Sequence, residues 1–243
     1  MGLEHQERAL KKVFYTGEEA SRSYADGDFL NRLSALDRDK LLASGKSQNF
    51  EAGDHFFEQG DPHTGIYIIS SGYVRSYYTS PAGREITLGY WNAGHFVGAP
   101  QIFSGGQHMW SSIAVERSCG TWLPSGVLKE RIYEMPELAI ALIEGLEQKG
   151  RCYATLLQLI ATRSMSKRLA HLLLTLANIK GKTDTGENTL DRQYTHEELA
   201  SMIGATRQWV SQTLERFEKD HCVARDGSRI ILLDYERLLE KSH

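Results

Sequence analysis

The apolar positions change their period along the chain. Between Phe29 and Gly45, Leu30, Leu33, Leu36 and Leu41 recur at near-helical spacing, and the glycine ends the run. A shorter amphipathic helix is predicted around Leu10, Val13 and Phe14. From Gln48 to Leu123 the pattern shortens to β-rich runs: Phe56-Phe57, IYIISS, YVRSYYTS, REITLGYW and HFVG. Turn signals separate them at Gly53-Asp54, Gly60-Asp61, Gly72, Pro81-Ala82-Gly83 and Asn92-Ala93-Gly94. Evenly spaced short strands with glycine turns predict an antiparallel barrel or a double-sheet roll of the jelly-roll kind.

A long helix is predicted from Pro136 to Arg163, with the proline in its first turn. Leu138, Leu142, Gly145, Lys149, Cys152, Leu156 and Leu159 alternate by four and three, the spacing of a seam for a partner helix. At roughly 40 Å, such a helix outruns a small roll, so the seam is expected between two copies of the chain. Lys149 is read as a polar break in it. The stretch MSKRLAHLLLTLANIKG predicts a further amphipathic helix, and GKTDTGEN a connector.

Tyr194–Lys219 reads as two short helices about a glycine turn. Thr195 and Glu198 have the spacing of a capping box, Leu199, Met202 and Ile203 share one face, and Gly204 stops the helix. Thr206 caps a second helix whose inner face carries Val210, Leu214 and Phe217. Arg207, Gln208, Ser211 and Gln212 then occupy the outer face of its first two turns. Arginine and glutamine can bond base edges in two-pronged fashion, and Thr195, Thr206 and Ser211 are short donors suited to phosphates. CVARDGSRIILLD follows as a hairpin about Asp226-Gly227, and YERLLEKS as a closing helix, giving a winged helix-turn-helix. The fold class expected is α+β. Residues 1–27 are expected to form an extension, 28–135 the β-roll, 136–163 a dimerisation helix and 164–243 the DNA-binding domain.

Composition changes this picture little. The net charge is −3, and from Ser164 onward twelve basic residues balance twelve acidic ones. DNA binding therefore has to rest on local placement of Arg207, Lys167, Arg168, Arg225 and Arg229. Cys119, Cys152 and Cys222 are too few and too scattered for a four-thiolate cluster. The nine histidines form neither HxH nor HExxH. No signal-peptide core or membrane-length apolar run is present, so a cytoplasmic protein without membrane attachment is expected.

Roll, long helix and winged helix-turn-helix, in that order, resemble the Crp/Fnr family of bacterial transcription regulators. EAGDHFFEQGD, IYIISSGYVRSYYTSPAGREITLGYWNAGHFVG and ELASMIGATRQWVSQTLERFEK carry the resemblance. It implies a non-enzymatic homodimer that binds palindromic duplex DNA, works with RNA polymerase, and is gated by an effector held between roll and long helix. Arg207, Gln208 and Gln212 match the family's base-reading positions, which are Arg, Glu and Arg in its cyclic-AMP-type members. Trp209 between them is expected to face sideways. The segment after HFVG departs from the family pattern. Ala99 stands where the ribose-binding Glu would be, and Met109 or Trp110 where the phosphate-binding Arg would be. No basic side chain occurs between Phe96 and Glu116. Val97 and Ala99 occupy the positions of the haem ligands in the carbon-monoxide-sensing branch. Cyclic AMP, haem and an iron–sulfur cluster are therefore disfavoured. His95, His108 and Cys152 are possible iron ligands, the histidines being read as solvated loop residues. A small-molecule effector would meet Trp91, Phe96, Gly98, Trp110, Ser111, Ser112, Gln148, Cys152 and Tyr153. The alternatives are a ligand-independent or cysteine-redox-responsive regulator, and a cupin-like metal enzyme.

Overall fold

The computed structural model describes residues 29–177, 188–190, 194–227 and 229–242. The helix expected near Leu10, Val13 and Phe14, and the connector from Gly181 to Glu187, lie outside the described residues. The described chain forms two compact units. One holds residues 29–82 and 88–153, and the other holds the chain from Ala154 onward, with 83–87 counted in it.

The first unit begins with a 3-10 turn, Phe29–Arg32, followed by helix α1, Ala35–Ala43. A single leucine-lined helix was expected here. Instead Ser34 caps a new helix, accepting from the Asp37 amide at 3.1 Å, and the register restarts. Leu30, Leu33 and Leu41 are buried, while Leu36 is exposed on the other face.

Eight strands follow: β1 (Lys46–Phe50), β2 (His55–Phe57), β3 (Gly65–Ser71), β4 (Tyr73–Thr79), β5 (Glu85–Asn92), β6 (Phe96–Val97), β7 (Ser111–Ala114) and β8 (Ser118–Pro124). They form two four-stranded sheets, in the orders β1-β8-β3-β6 and β2-β7-β4-β5, antiparallel at every described pairing. This is the expected roll. Helices α2 (Ser125–Glu134) and α3 (Glu137–Thr162) complete the unit, the latter running on past its end. One apolar cluster joins the pieces: Phe29 and Leu41 from the leading segments, Ile66, Ile68 and Leu123 from the strands, and Leu128, Leu138 and Leu142 from the helices. Burial of such side chains, at roughly 1.5–3 kcal/mol each, holds the helices on the roll.

Helix α3 corrects the expected seam. Leu138, Leu142, Lys149, Cys152 and Leu156 are buried within the chain itself. Gly145 belongs to the same stripe, and a Cβ there would lie 2.5 Å from the Phe96 ring. The four-three spacing thus marks the face turned inward. A second stripe of the same spacing, 140, 143, 147, 150, 154, 157 and 161, lies on the opposite side and is exposed throughout. It carries Ile140, Ile143 and Leu157, the last two at 60% and 67% exposure.

In the second unit, helix α4 (Met165–Ala177) buries Leu169, Leu172, Leu173 and Leu176. Strand β9 (Asn188–Thr189), helices α5 (His196–Ile203) and α6 (Arg207–Lys219), strands β10 (Val223–Asp226) and β11 (Arg229–Leu232), and helix α7 (Tyr235–Glu240) follow. The expected wing hairpin gains β9 as a third strand, in the order β10-β11-β9.

The packing of Gly145 on Phe96 generates a prediction. Gly145→Val should destabilise the protein by about 1–3 kcal/mol, because the new side chain overpacks a fully buried ring. Chemical denaturation of the variant beside the parent chain measures this, and equal midpoints would contradict it.

Candidate functional site

The helix-turn-helix is built by its caps. Glu198 N donates to Thr195 Oγ1 at 3.1 Å, and Thr195 N donates to the Glu198 carboxylate at 2.7 Å. Gly204 then takes φ 68°, a left-handed conformation that costs a residue with a Cβ about 1 kcal/mol or more. Thr206 Oγ1 accepts from Trp209 N at 3.2 Å and starts α6. Val210, Leu214 and Phe217 are wholly buried, which fixes the rotation of α6. Arg207, Gln208 and Gln212 are consequently exposed on its far side, with Ser211 and Trp209 half-buried. The helix N-terminus adds a partial positive charge beside them.

The hydroxyls divide. The Thr195 proton goes to Glu198 Oε2 at 3.0 Å, so that side chain serves the cap. Thr206 only accepts in its cap, and a hydroxyl that accepts still has its proton to give. Some of the basic residues singled out in the sequence have internal work. Arg168 Nη1 donates to the Ile203 carbonyl at 2.5 Å, tying α4 to α5. Arg225 pairs with Glu218 at 2.5 Å. Burial, and then the nearby Arg225 and Arg207, hold the His196 imidazole below its ordinary pKa.

The second candidate site lies inside the roll. A cavity of about 10 Å³, enough for about one water, is lined by Ser76, Trp91, Val97, Gly98, Ala99, Trp110, Lys149 and Tyr153. The structure brings together Trp91, Gly98, Trp110 and Tyr153 from the expected set. It places the others elsewhere. Phe96 is packed edge-on to Phe29 at 5.3 Å and against Gly145. Ser111 Oγ accepts from Gln59 N at 3.0 Å. Ser112 bonds Ser76 at 2.8 Å, and Ser76 also accepts from Trp91 Nε1 at 3.0 Å. Gln148 and Cys152 are buried on α3 beside the cavity-lining pair Lys149 and Tyr153. Trp110 meets Tyr153 edge-on at 5.8 Å.

Lys149 is the residue that sequence reasoning misread. The segment from Phe96 to Glu116 holds no Lys or Arg, and the cavity's amine arrives from α3, more than thirty residues later. Lys149 is 5% exposed, with its Nζ 3.3 Å from the Trp91 ring centroid and 5.0 Å from that of Phe96. Burial pushes its pKa from 10.5 down to about 7, against a smaller upward pull from Cys152. Its position in a four-three stripe, flanked by residues that bury, was the available signal. Burial likewise pushes the Tyr153 phenol upward.

His95 and His108 are buried, contrary to the expectation of solvated loops. His108 stacks on Phe57 at 3.8 Å and lies 4.4 Å from His63, and burial, then His63, lower its pKa to about 4. His63 Nε2 donates to the Gly98 carbonyl at the cavity wall. Among the described residues, no group of three His, Cys, Asp or Glu side chains is placed to hold a metal ion. All three cysteines are free thiols, with Cys152 and Cys222 buried. No helix among the described residues is long and apolar enough to cross a membrane.

Comparison with known proteins gives two family matches. Residues 47–130 match the cyclic nucleotide-binding domain, and residues 167–241 match the Crp-like helix-turn-helix domain. A CRP-like cAMP-activated global transcriptional regulator of Mycobacterium tuberculosis is 28% identical over 195 residues, 80% of this chain and 87% of that protein. The global nitrogen regulator of Synechococcus elongatus is 26% identical over 210 residues, 84% of this chain and 95% of that protein. Among solved structures, the c-di-GMP-responsive regulator CLP of Xanthomonas campestris superposes with TM-score 0.74 at 19% identity, over 82% of this chain and 99% of its own. A Crp/Fnr-family regulator from Eubacterium rectale gives 0.71 at 24% identity, over 87% and 96%. At these identities the two structures speak for the fold.

The buried amine makes stability depend on pH. Its folded pKa lies below its unfolded value. Below pH 7 both states are charged, and the native state bears the whole cost of burying the ammonium. Above about pH 10.5 both are neutral and the cost is gone. Lys149→Met should therefore stabilise the protein by up to a few kcal/mol at pH 6, less what the lost ring contacts gave. The gain should shrink as pH rises from 7 toward 10.5. Thermal melts of both proteins across that range read it, and a pH-independent difference would contradict it.

Proposed function

This chain belongs to the Crp/Fnr family of DNA-binding transcription regulators, and we propose that it acts as a homodimer on an imperfect palindrome, gated by a small molecule in its roll. The carrying observation is the exposed face of α6. Arg207, Gln208 and Gln212 project from a capped helix whose opposite face is locked by Val210, Leu214 and Phe217. Ser211 and Thr206 add phosphate contacts, and Thr195 does so only by giving up its bond to Glu198. Gln208 and Gln212, in place of Glu and Arg, give a half-site different from that of the cyclic-AMP-type members.

The exposed stripe of α3 supports the dimer. Ile140, Ile143 and Leu157 repeat at coiled-coil spacing, and Gly150 and Ala154 between them, with Ala161 beyond, are small enough for close approach of a second helix. In a parallel pair each copy would cover the other's stripe while the buried stripe stays on its own roll. The effector enters at the roll cavity. Ala99 offers no carboxylate for a ribose, which favours an effector other than cyclic AMP. RNA polymerase is the partner that would act on the bound dimer. The effector works only as far as its affinity differs between the active and inactive dimers.

Selection from random duplexes should return a palindrome with half-sites about one helical turn apart. Arg207→Ala should weaken specific binding by about 1–3 kcal/mol and relax the preference at one base pair. Gln208→Glu should move its position toward cytosine. An unchanged site preference in both variants would contradict the register. Separately, Ile143→Glu combined with Leu157→Glu should sediment as a monomer at concentrations where the parent is a dimer. A persistent dimer would place the interface on another surface.

A further inference from the structure

Lys149 is a buried amine with no counter-ion among the described residues. Among the described residues, no carboxylate or hydroxyl lies within hydrogen-bonding distance of its Nζ, and its recorded partners are the faces of Trp91 and Phe96. It lines the cavity that Trp110 and Tyr153 also wall, with Val97 and Ala99 supplying apolar surface. Among the described residues, no other lining side chain is charged. One positive charge, uncompensated, among aromatic and aliphatic walls fits a ligand with one negative charge and a flat apolar body. A second negative charge would itself be buried without a partner, which is costly.

Resting on the reading of the roll as the effector domain, we propose that its site takes an aromatic monocarboxylate, with Lys149 as counter-ion and the indoles of Trp91 and Trp110 as walls. The cavity itself holds about one water. Binding therefore moves the amine off the Trp91 ring and parts the Trp110 and Tyr153 rings, so that the ligand's ring enters an interior that opens around it. The exchange turns a cation–ring contact into a charge-assisted hydrogen bond to carboxylate. It also gives the effector a lever on α3, since Lys149 and Tyr153 are both carried by that helix.

The test measures tryptophan fluorescence and calorimetry on the full chain without DNA. The probes are benzoate, cinnamate and indole-3-carboxylate, each beside its primary amide, with cyclic AMP alongside. At least one acid should bind and quench tryptophan emission, and its amide should bind at least tenfold more weakly. Lys149→Met should lose at least tenfold in affinity for that acid, while Lys149→Arg should keep the preference for acid over amide. The inference is overturned if no acid binds, if the amides bind as well, if Lys149→Met binds unchanged, or if cyclic AMP binds in preference to every acid. The duplex selection is scored apart. A protein that selects DNA but ignores the acids refutes this inference alone. One that binds an acid through Lys149 but selects no DNA refutes the regulator and leaves the site standing.

Discussion

The close approach of helix α3 to the roll is the constraint on which the rest depends. It is possible because Gly145 has no side chain where the Phe96 ring lies, and it carries Lys149 over Trp91. Any larger residue at 145 would lift the helix and open the interior. With that face committed, the helix has one stripe left to offer, and that stripe holds isoleucine and leucine in water. A single 26-residue helix thus turns one stripe to the interior of the roll and leaves the opposite one exposed.

Local chemistry made much of this legible in the sequence. Caps and turns act over three or four residues, so Thr195 with Glu198, Gly204 and Thr206 could be read directly, and each is found in its expected role. The β-rich runs were equally plain, because the glycines that end them are sequence-local. The long helix was harder. Four-three spacing marks a face that buries, but it does not say against what. The stripe through Leu138 and Cys152 and the stripe through Ile143 and Leu157 satisfy the same rule on opposite sides. Only the tertiary packing tells which of them meets the roll.

The candidate effector site shows the same limit. Trp91, Gly98, Trp110 and Tyr153 were found by position along the strands and helix, and they do line one cavity. Its charged group was missed because a search of the segment after β6 could not see a side chain delivered from α3. Lys149 had been read as a flaw in a dimer seam; buried against two aromatic rings, it is instead the one charged group of the cavity. A buried ammonium without a carboxylate destabilises the native state. Its retention at such a place is the kind of local cost that functional sites carry.

The state of that amine is the central claim, and it can be observed directly. Heteronuclear NMR of the lysine side-chain methylenes, with the Lys149 signal assigned by its loss in a Lys149 variant, follows each amine through a pH titration. The account predicts that Lys149 titrates near pH 7 in the protein free of ligand. A Lys149 signal that titrates at the ordinary lysine value of 10.5 would place its amine in water, and would contradict the account of the cavity.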